Sequence, residues 1–370
     1  MSELVSPIKV GPAKDVLLLH DGSPFAKTVA RLLALDYRLG GHNLERDPAP
    51  AAVSAQALVC CFSRFRSRYL AGVRALAQRF AAPPVVLLAA QSSQSLKLVE
   101  EMPGTVCLFE PLNFATLKQT VKQALNTGAE AAWSKLQPQN RQALQASSQS
   151  FQSCFAASAR GEPLPVEQVF AACRAVKDSF AGANFGEWLS ALQLHHDRSY
   201  RHSMLVCASL TQFCQTLGVR DADLERVTVG GFLHDIGKFK VPLDILDKPG
   251  ALDATEEAAL QRHPSFSRDI LLAETGLDPS IIEMAVQHHE NLDGSGYPDG
   301  LTGEQISDLV RLTAVADVFT LLTEDQTRQA GRTPEAALEV MANARGHLDL
   351  ELVRRFRAFV LDGGADAAAA

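Results

Sequence analysis

The periodicity of the apolar residues changes once along the chain, and this change most constrains the fold. Before residue 127, short apolar runs alternate with helix-patterned segments, the runs being Asp15–His20, Ala57–Phe62, Val85–Ala90 and Thr105–Phe109. Such runs are typical of buried parallel strands. From Pro165 onward only helical spacing is found. The pattern predicts an α/β doubly wound domain followed by an all-α helical bundle.

The length of 370 residues also favours two domains. We predict a first domain over residues 1–127 and a helical domain over 159–361. Between them, residues 128–158 are rich in Gln, Ser and Ala and are expected to form a helical or flexible connector. The final residues, 362–370, have nothing to bury and are expected to be disordered.

Charge and cysteine content restrict the class of protein. A net charge of −7 argues against a nucleic-acid binder and against a polybasic membrane anchor. The apolar stretches are far shorter than the roughly 20 residues of a membrane span, so no membrane insertion is expected. Seven scattered cysteines, without a C-x-x-C pair, indicate free thiols rather than a disulfide framework. These features favour a cytoplasmic protein.

Histidines and aspartates recur in five separate helix-patterned segments of the second domain. A helical bundle builds a metal centre in its core in this way, from side chains on facing helices. Neutral imidazoles with carboxylates suit Fe, Mn, Zn or Ni, and the absence of thiolates disfavours a structural zinc site. The candidate ligands are His202, His234, Asp235, His263, His288, His289 and Asp317.

Three short motifs in this domain carry a specific resemblance. They are the pair His234–Asp235, the signature Gly296–Pro298 and the segment Lys248–Gly250. With them, residues 160–360 resemble an HD-GYP domain, a branch of the HD phosphohydrolase superfamily associated with cyclic di-GMP hydrolysis. The resemblance implies a metal-dependent phosphodiesterase that converts cyclic di-GMP to linear pGpG, with a further step to GMP open.

The resemblance also implies two divalent ions, Fe, Mn or similar, whose identity the sequence does not decide. Ions roughly 3.5–4 Å apart share a bridging hydroxide in two-metal phosphodiester cleavage. The implied ligands are His202, His234, Asp235 and Asp317 for one ion, and His263, His288 and His289 for a second ion bridged by Asp235. The family often has a Glu one turn before its first metal His, where a third ion binds. This chain has Arg198 there, which favours two ions.

Lys238 and Asp235 are the predicted catalytic residues, Lys238 because an ammonium one turn past the pair can offset phosphate charge. Gln326 and Gln329 stand where the family commonly has basic residues that hold the ligand phosphates, so substrate binding is expected to be weaker. Arg311 and Arg332 are candidates to replace that charge. The predicted substrate contacts are Gly296, Tyr297, Pro298 and Arg311.

Two other functions remain open. The altered phosphate positions are compatible with a metal-binding signalling module without turnover, which interacts with cyclic di-GMP or with diguanylate cyclase (GGDEF) domains. They are equally compatible with an HD hydrolase of another phosphoester, such as a different cyclic dinucleotide.

The first domain resembles a receiver domain of two-component signalling in strand order and length, but it departs at the reactive positions. Only Asp21 follows the first strand where a receiver has an acidic pair, Cys61 and Ser63 stand where the phosphorylated Asp is expected, and Glu110 replaces a Lys. Without a carboxylate nucleophile there is no phosphoryl acceptor. We therefore interpret residues 1–127 as a pseudo-receiver used for interaction or for homodimerisation.

Overall fold

The structure, a computed structural model, describes residues 14–34, 37–47, 55–81, 84–90, 100–180, 185–195, 197–246, 248, 251–324 and 331–361. The chain folds into two compact units. The first comprises residues 1–134 and 194–197, and the second comprises 135–193 and 198–370. The boundary after Ser134 lies inside the segment 128–158 that was predicted as a connector.

The first unit is built around a five-stranded parallel sheet with the strand order β2-β1-β3-β4-β5. This is the order of flavodoxin-like sheets. In chain order its elements are β1 (Lys14–His20), α1 (Pro24–Leu33), β2 (Leu39–Asn43), β3 (Ala55–Phe62), α2 (Ser67–Ala77), β4 (Val85–Leu88), β5 (Val106–Phe109) and α3 (Phe114–Ala132), followed by a 3₁₀ turn over Trp133–Lys135.

Strand β1 is buried on both sides, as its continuous apolar run predicts. Val16 and Leu18 share a core with side chains of α1 and α3, whereas Leu17 and Leu19 share a second core with side chains of α2. Successive side chains of a strand point to opposite faces, so these two cores lie on opposite faces of the sheet. The prediction of a parallel sheet in this part of the chain is confirmed.

Strand β2 has no counterpart among the four predicted strands. Its sequence, from Leu39 to Asn43, contains two glycines and the polar His42, so it lacks an apolar run. Parallel pairing with β1 holds it at the sheet edge, and this tertiary pairing overrides the weak local propensity. The sequence of Leu96–Glu101 predicts a further short helix, of which residues 96–99 lie outside the described residues.

The second unit is helical, as predicted. Within the described residues, none of the helices of the chain combines the length and apolarity that a bilayer span requires. The elements of the second unit are α4 (Pro138–Arg160), α5 (Val166–Ser179), α6 (Phe185–Gln193), α7 (Arg198–Thr216), α8 (Asp221–Leu233), a 3₁₀ turn (Ile236–Lys240), α9 (Leu243–Leu246), α10 (Ala254–Leu260), α11 (His263–Leu272), α12 (Pro279–Gln287), a 3₁₀ turn (Gly303–Gln305), α13 (Asp308–Thr323), α14 (Pro334–Ala342) and α15 (Leu350–Leu361).

Helix α4 belongs to the core of the second unit, whereas a helical or flexible connector was predicted over 128–158. Leu144, Phe151 and Cys154 are buried, and the Phe151 ring packs edge-to-face on Tyr200 and Phe232. Buried residues, several of them Ser, recur every three or four positions along α4, between exposed Gln side chains. Of the two alternatives predicted for this segment, residues 138–158 have the helical one, as an amphipathic helix.

A single apolar core joins helices α7, α8, α13, α14 and α15. Phe213 of α7 lies at its centre and packs edge-to-face on Phe356 of α15. Val227 of α8 and Val315 of α13 complete the contact between the three helices that carry His202, His234 and Asp317. This core fixes the helices that position the polar cluster described next.

Candidate metal centre

Half-site 1 comprises His202, His234 and Asp317, one residue from each of three helical segments. His202 lies in α7, His234 follows the last residue of α8, and Asp317 lies in α13. Nε2 of His202 is 3.0 Å from Oδ1 of Asp317 and 3.4 Å from Nε2 of His234. Ligands of one ion, each bound at about 2.0–2.2 Å, are separated by similar distances. The three buried side chains therefore converge as the ligands of one ion would.

Half-site 2 comprises His263, His288 and His289. His263 is the first residue of α11, and the two adjacent histidines follow the last residue of α12. Nε2 of His263 lies 3.4 Å from Nε2 of His288, and one nitrogen of each of the three rings lies within 4.8 Å of the others. Consecutive residues inside a helix diverge by roughly 100°. The end of α12 between Gln287 and His288 allows both rings to face one point.

Asp235 faces both half-sites. Its Oδ2 lies 3.4 Å from Nε2 of His202 and 3.3 Å from Nε2 of His234. Its Oδ1 lies 3.2 Å from Nε2 of His263 and 3.7 Å from Nε2 of His288. One carboxylate is thus shared, with one oxygen directed to each half-site.

A close backbone contact at Gly237 brings the two half-sites together. A Cβ at this position would lie 2.0 Å from the carbonyl oxygen of His263 and 2.5 Å from the backbone nitrogen of Ser267. The Gly237 N–H also donates to Oγ of Ser267 at 3.0 Å. Only glycine leaves room for this approach, and the approach sets His263 beside Asp235.

The ring nitrogens that face away from the cluster fix the tautomers of three histidines. Nδ1 of His234 donates to the Gly231 carbonyl at 2.8 Å, and Nδ1 of His263 donates to the Leu260 carbonyl at 2.8 Å. His288 donates in the same way, to the Met284 carbonyl at 3.2 Å. A carbonyl oxygen only accepts, so Nδ1 carries a proton, and in the neutral ring Nε2 keeps its lone pair. These rings therefore present the atoms that bind a metal ion.

The charge states of the cluster agree with metal binding. Burial alone would raise the pKa of Asp317, but the neighbouring imidazoles, His202 first, hold it well below its usual range. Burial lowers the pKa of His288, and it lowers the pKa of His289 to about 3. Ionised carboxylates and neutral imidazoles are the forms that ligate divalent metals.

His202 is the exception among these imidazoles. Burial alone would lower its pKa, but hydrogen bonds with Asp317 and Glu324 raise it to about 9. Without a metal the ring is therefore protonated at neutral pH, and an ion held in half-site 1 would have to displace this proton.

Two buried carboxylate oxygens have no hydrogen-bond donor within the described residues. They are Oδ1 of Asp235 and Oδ2 of Asp317. A buried, ionised oxygen without a partner is unfavourable unless a cation compensates it. The His263 nitrogen nearest to Asp235 carries no proton in the tautomer fixed by Leu260, so it does not serve as the donor. The residues present therefore fit a divalent metal centre.

Lys238 contacts the shared carboxylate directly. Its Nζ donates to Oδ2 of Asp235 at 2.5 Å, and about a fifth of its side chain is exposed. Burial alone would lower its pKa, but Asp235 and Asp317 raise it, so the ammonium stays charged. A permanent positive charge thus stands at the edge of the cluster, where an anionic ligand would meet it.

The loop that contains Gly296–Pro298 lies against half-site 2. The Tyr297 ring stacks on His289 with centroids 4.8 Å apart, and the Tyr297 N–H donates to the His289 carbonyl at 3.2 Å. A Cβ on Gly296 would lie 2.3 Å from the Asn291 nitrogen and 2.5 Å from Cα of Glu290, so the turn requires glycine there. Among the predicted substrate contacts, this loop therefore lies next to a metal-ligand candidate, His289.

Glu290 anchors this loop through hydrogen bonds to its backbone, a role that the sequence did not reveal. Its side chain is buried, and its two carboxylate oxygens accept the N–H groups of Asp299 at 2.6 Å, Gly300 at 3.1 Å and Leu301 at 2.9 Å. The one signal in the sequence is the position of Glu290 directly after the two histidines, which suits a group that anchors the following loop.

Arg311 is bound within the protein, whereas a substrate contact was predicted. Its guanidinium donates to the carbonyls of Ile306 and Gly303 at 3.0 and 2.7 Å, and to Asp349 at 3.2 Å. A substrate contact would therefore require breaking protein contacts. Gln326 and Gln329, the two positions that depart from the family pattern, lie outside the described residues.

A family comparison accords with this geometry. Residues 189–352 match the family model described as the HD domain. Residues 189–352 are therefore similar to the HD domain, and we use that name for them. The matched range includes all seven ligand candidates, Lys238 and the Gly296–Pro298 loop. HD-domain phosphohydrolases use divalent metals, in agreement with the donor set found here.

Curated relatives resemble the HD domain and differ in their named substrates. A cyclic di-GMP phosphodiesterase of Pseudomonas aeruginosa is 38% identical over 172 residues, which are 46% of this chain and 41% of that protein. A 3'3'-cGAMP-specific phosphodiesterase of Vibrio cholerae is 38% identical over 142 residues, 38% of this chain and 30% of that protein. The chain thus spans less than half the length of either relative.

A solved structure shares the fold. A protein of Bdellovibrio bacteriovorus, described as a HDG"Y"P protein, superposes with a TM-score of 0.50 at 20% identity. The superposition covers 67% of this chain and 80% of that one. At this level of identity the likeness concerns the fold alone.

Proposed function

We propose that the HD domain hydrolyses cyclic di-GMP to linear pGpG at a centre of two divalent ions. The single observation that carries this proposal is the sharing of Asp235 between half-site 1 and half-site 2. One ion needs only one of the half-sites, whereas a carboxylate with one oxygen in each is the arrangement that bridges two ions. Further hydrolysis of pGpG to GMP is an open second step.

The chemistry divides between the ions and the chain. Divalent ions supply a hydroxide at neutral pH and offset the charge of a phosphodiester. The seven ligands orient that centre, and the loop of Tyr297 forms its wall next to half-site 2. Lys238 places its ammonium where the negative charge of the phosphate increases during attack. Gly296, Tyr297 and Pro298 are the proposed substrate contacts.

Replacement of Lys238 by alanine tests its role. We expect Lys238→Ala to lower kcat by roughly 10²–10³-fold, the usual effect of losing one electrostatic contact to the reacting group. The metal content should stay at the wild-type value, because Lys238 is not a ligand. Turnover assays and metal analysis on the same preparation measure both quantities.

Lys240→Ala is the matched control, since Lys240 donates to the Ser158 carbonyl at 2.7 Å, and its kcat should not change. Equal losses in both variants would contradict the assignment.

The direct test of the function is turnover by the metal-loaded protein. Purified protein loaded with Mn²⁺ or Fe²⁺ should convert cyclic di-GMP to pGpG, and removal of the metal with a chelator should abolish the conversion. Protein that carries two ions per chain and binds cyclic di-GMP but leaves it intact would refute the proposal.

A second substrate is supported by one specific observation. The Vibrio relative named for 3'3'-cGAMP is as similar to this HD domain, at 38%, as the Pseudomonas relative named for cyclic di-GMP. Competition between the two dinucleotides at equal concentration distinguishes the substrates. If kcat/KM is at least tenfold higher for 3'3'-cGAMP, this dinucleotide would replace cyclic di-GMP as the proposed substrate.

A module without turnover is the remaining alternative, motivated by the neutral Gln326 and Gln329. It would act through cyclic di-GMP binding or through diguanylate cyclase partners. An Asp235→Ala variant separates the two functions in cells. A phenotype that survives this change would favour the interaction role over hydrolysis.

We further propose that the first unit is a pseudo-receiver. Its parallel strand order supports this, and so does the state of Asp21, the acid that follows β1. Asp21 accepts the backbone N–H of Ser63 at 2.8 Å and its hydroxyl at 2.7 Å, so Oδ2 is held by a neutral neighbour. A second copy of the chain is the proposed partner of this unit. The free state of all seven cysteines supports a cytoplasmic location.

A further inference from the structure

Glu324 contacts the cluster from a position that no metal-ligand pattern marks. It follows the last residue of α13, two turns after Asp317 on the same helix. Its Oε2 accepts the Nδ1–H of His202 at 3.0 Å, and its Oε1 accepts the Nε–H of Arg201 at 2.9 Å. The carboxylate is only 12% exposed. One helix therefore supplies a ligand candidate and the group that holds the neighbouring ligand.

The acceptor behind His202 differs from those behind the other rings. His234, His263 and His288 donate Nδ1–H to backbone carbonyls, whereas His202 donates to an ionised carboxylate. A carboxylate acceptor fixes the ring and increases the electron density on Nε2 more than a neutral carbonyl does. The His202 nitrogen that faces half-site 1 is thus the more strongly donating ligand.

The two half-sites consequently differ in negative charge. Glu324 is paired with Arg201, and Lys238 with the shared Asp235. The difference that remains is therefore the carboxylate of Asp317, which half-site 2 with its three imidazoles lacks. Both share Asp235. Attraction for a divalent cation grows with the number of nearby anionic groups. Half-site 1 is therefore the stronger cation site.

We propose that Glu324 is a positioning residue that fixes His202 and makes half-site 1 hold its ion more tightly than half-site 2. This inference rests on the proposed two-ion centre. It makes the ion of half-site 1 the permanent one and the ion of half-site 2 the exchangeable one.

Metal release into excess chelator tests the inference without any substrate. Protein loaded with Mn²⁺ and freed of unbound metal is mixed with EDTA, and release is followed with time. The wild type should release its ions in two phases. Glu324→Gln, which keeps an acceptor oxygen but loses the charge, should accelerate the slow phase roughly 10–100-fold and leave the fast phase unchanged. Glu339→Gln, at an exposed position, is the matched control and should change neither phase.

The outcomes separate this inference from the proposed function. A single release phase in the wild type, an unchanged slow phase in Glu324→Gln, or equal acceleration of both phases would overturn it. Should Glu324→Gln not fold, Glu324→Asp keeps the charge and should accelerate the slow phase by less than tenfold; no acceleration would overturn the inference. Protein that shows the expected phases but does not hydrolyse cyclic di-GMP would refute the function and leave the role of Glu324 intact.

Discussion

Asp235→Asn is expected to abolish turnover and to reduce the metal content below two ions per chain. Asparagine has the same shape but no charge, and it cannot offer an anionic oxygen to both half-sites. Loss of one electrostatic contact commonly lowers kcat by roughly 10²–10³-fold, and here two half-sites and the partner of Lys238 are affected together. We therefore expect a loss of about 10³-fold or more. Metal analysis and turnover on one preparation measure the two effects.

Asp269→Asn is the control for this change. Asp269 lies exposed on α11, the helix that begins with His263, so the same loss of charge occurs outside the cluster. Its metal content and kcat should match the wild type. If Asp235→Asn keeps two ions and at least a tenth of wild-type turnover, the bridging role is wrong.

Glu290→Gln is expected to destabilise the loop that forms the wall of half-site 2. The two carboxylate oxygens accept three backbone N–H groups, and a glutamine would replace one oxygen by an NH₂ group that faces these donors. Hydrogen bonds to charged groups contribute about 1.5–3 kcal/mol, and buried donors without a partner add to the loss. We expect the free energy of unfolding to fall by about 2–4 kcal/mol. Chemical denaturation measures it.

Hydrogen exchange locates the effect of this variant. The amides of Asp299, Gly300 and Leu301 should lose protection in Glu290→Gln before the rest of the HD domain does, because their acceptor is the group removed. Glu304→Gln, exposed in the following 3₁₀ turn, is the control and should change the free energy of unfolding by less than about 0.5 kcal/mol. Unchanged protection of the three amides would contradict the anchoring role.

Local sequence patterns predicted the elements that are apolar throughout and failed where pairing or composition hides the signal. Strand β1 is an uninterrupted apolar run and was predicted, whereas β2, with its two glycines, exists because β1 pairs with it. In α4 the apolar stripe is present, but the many Gln and Ser residues around it resemble a linker. Propensity does not capture contacts between distant segments.

The candidate ligands were predictable because metal-binding residue types are distinctive. The residues that hydrogen-bond the ligands or the adjacent loop were not predictable. His234 and Asp235 form a recognisable pair, but Glu290 and Glu324 are ordinary acidic residues until the fold brings them to the loop amides and to His202. For Arg311 the sequence showed the charge but not its partners. Its charge suggested a phosphate contact. In the structure its guanidinium donates to the carbonyls of Gly303 and Ile306, which only the folded loop brings beside it.

The contact at Gly237 has a consequence for how such centres diversify. The two half-sites are held close by the approach of Gly237 to the backbone of His263 and Ser267, which any side chain at position 237 would prevent. Substitutions in the neighbouring loops can therefore change the ligand preference while the separation of the two half-sites stays the same.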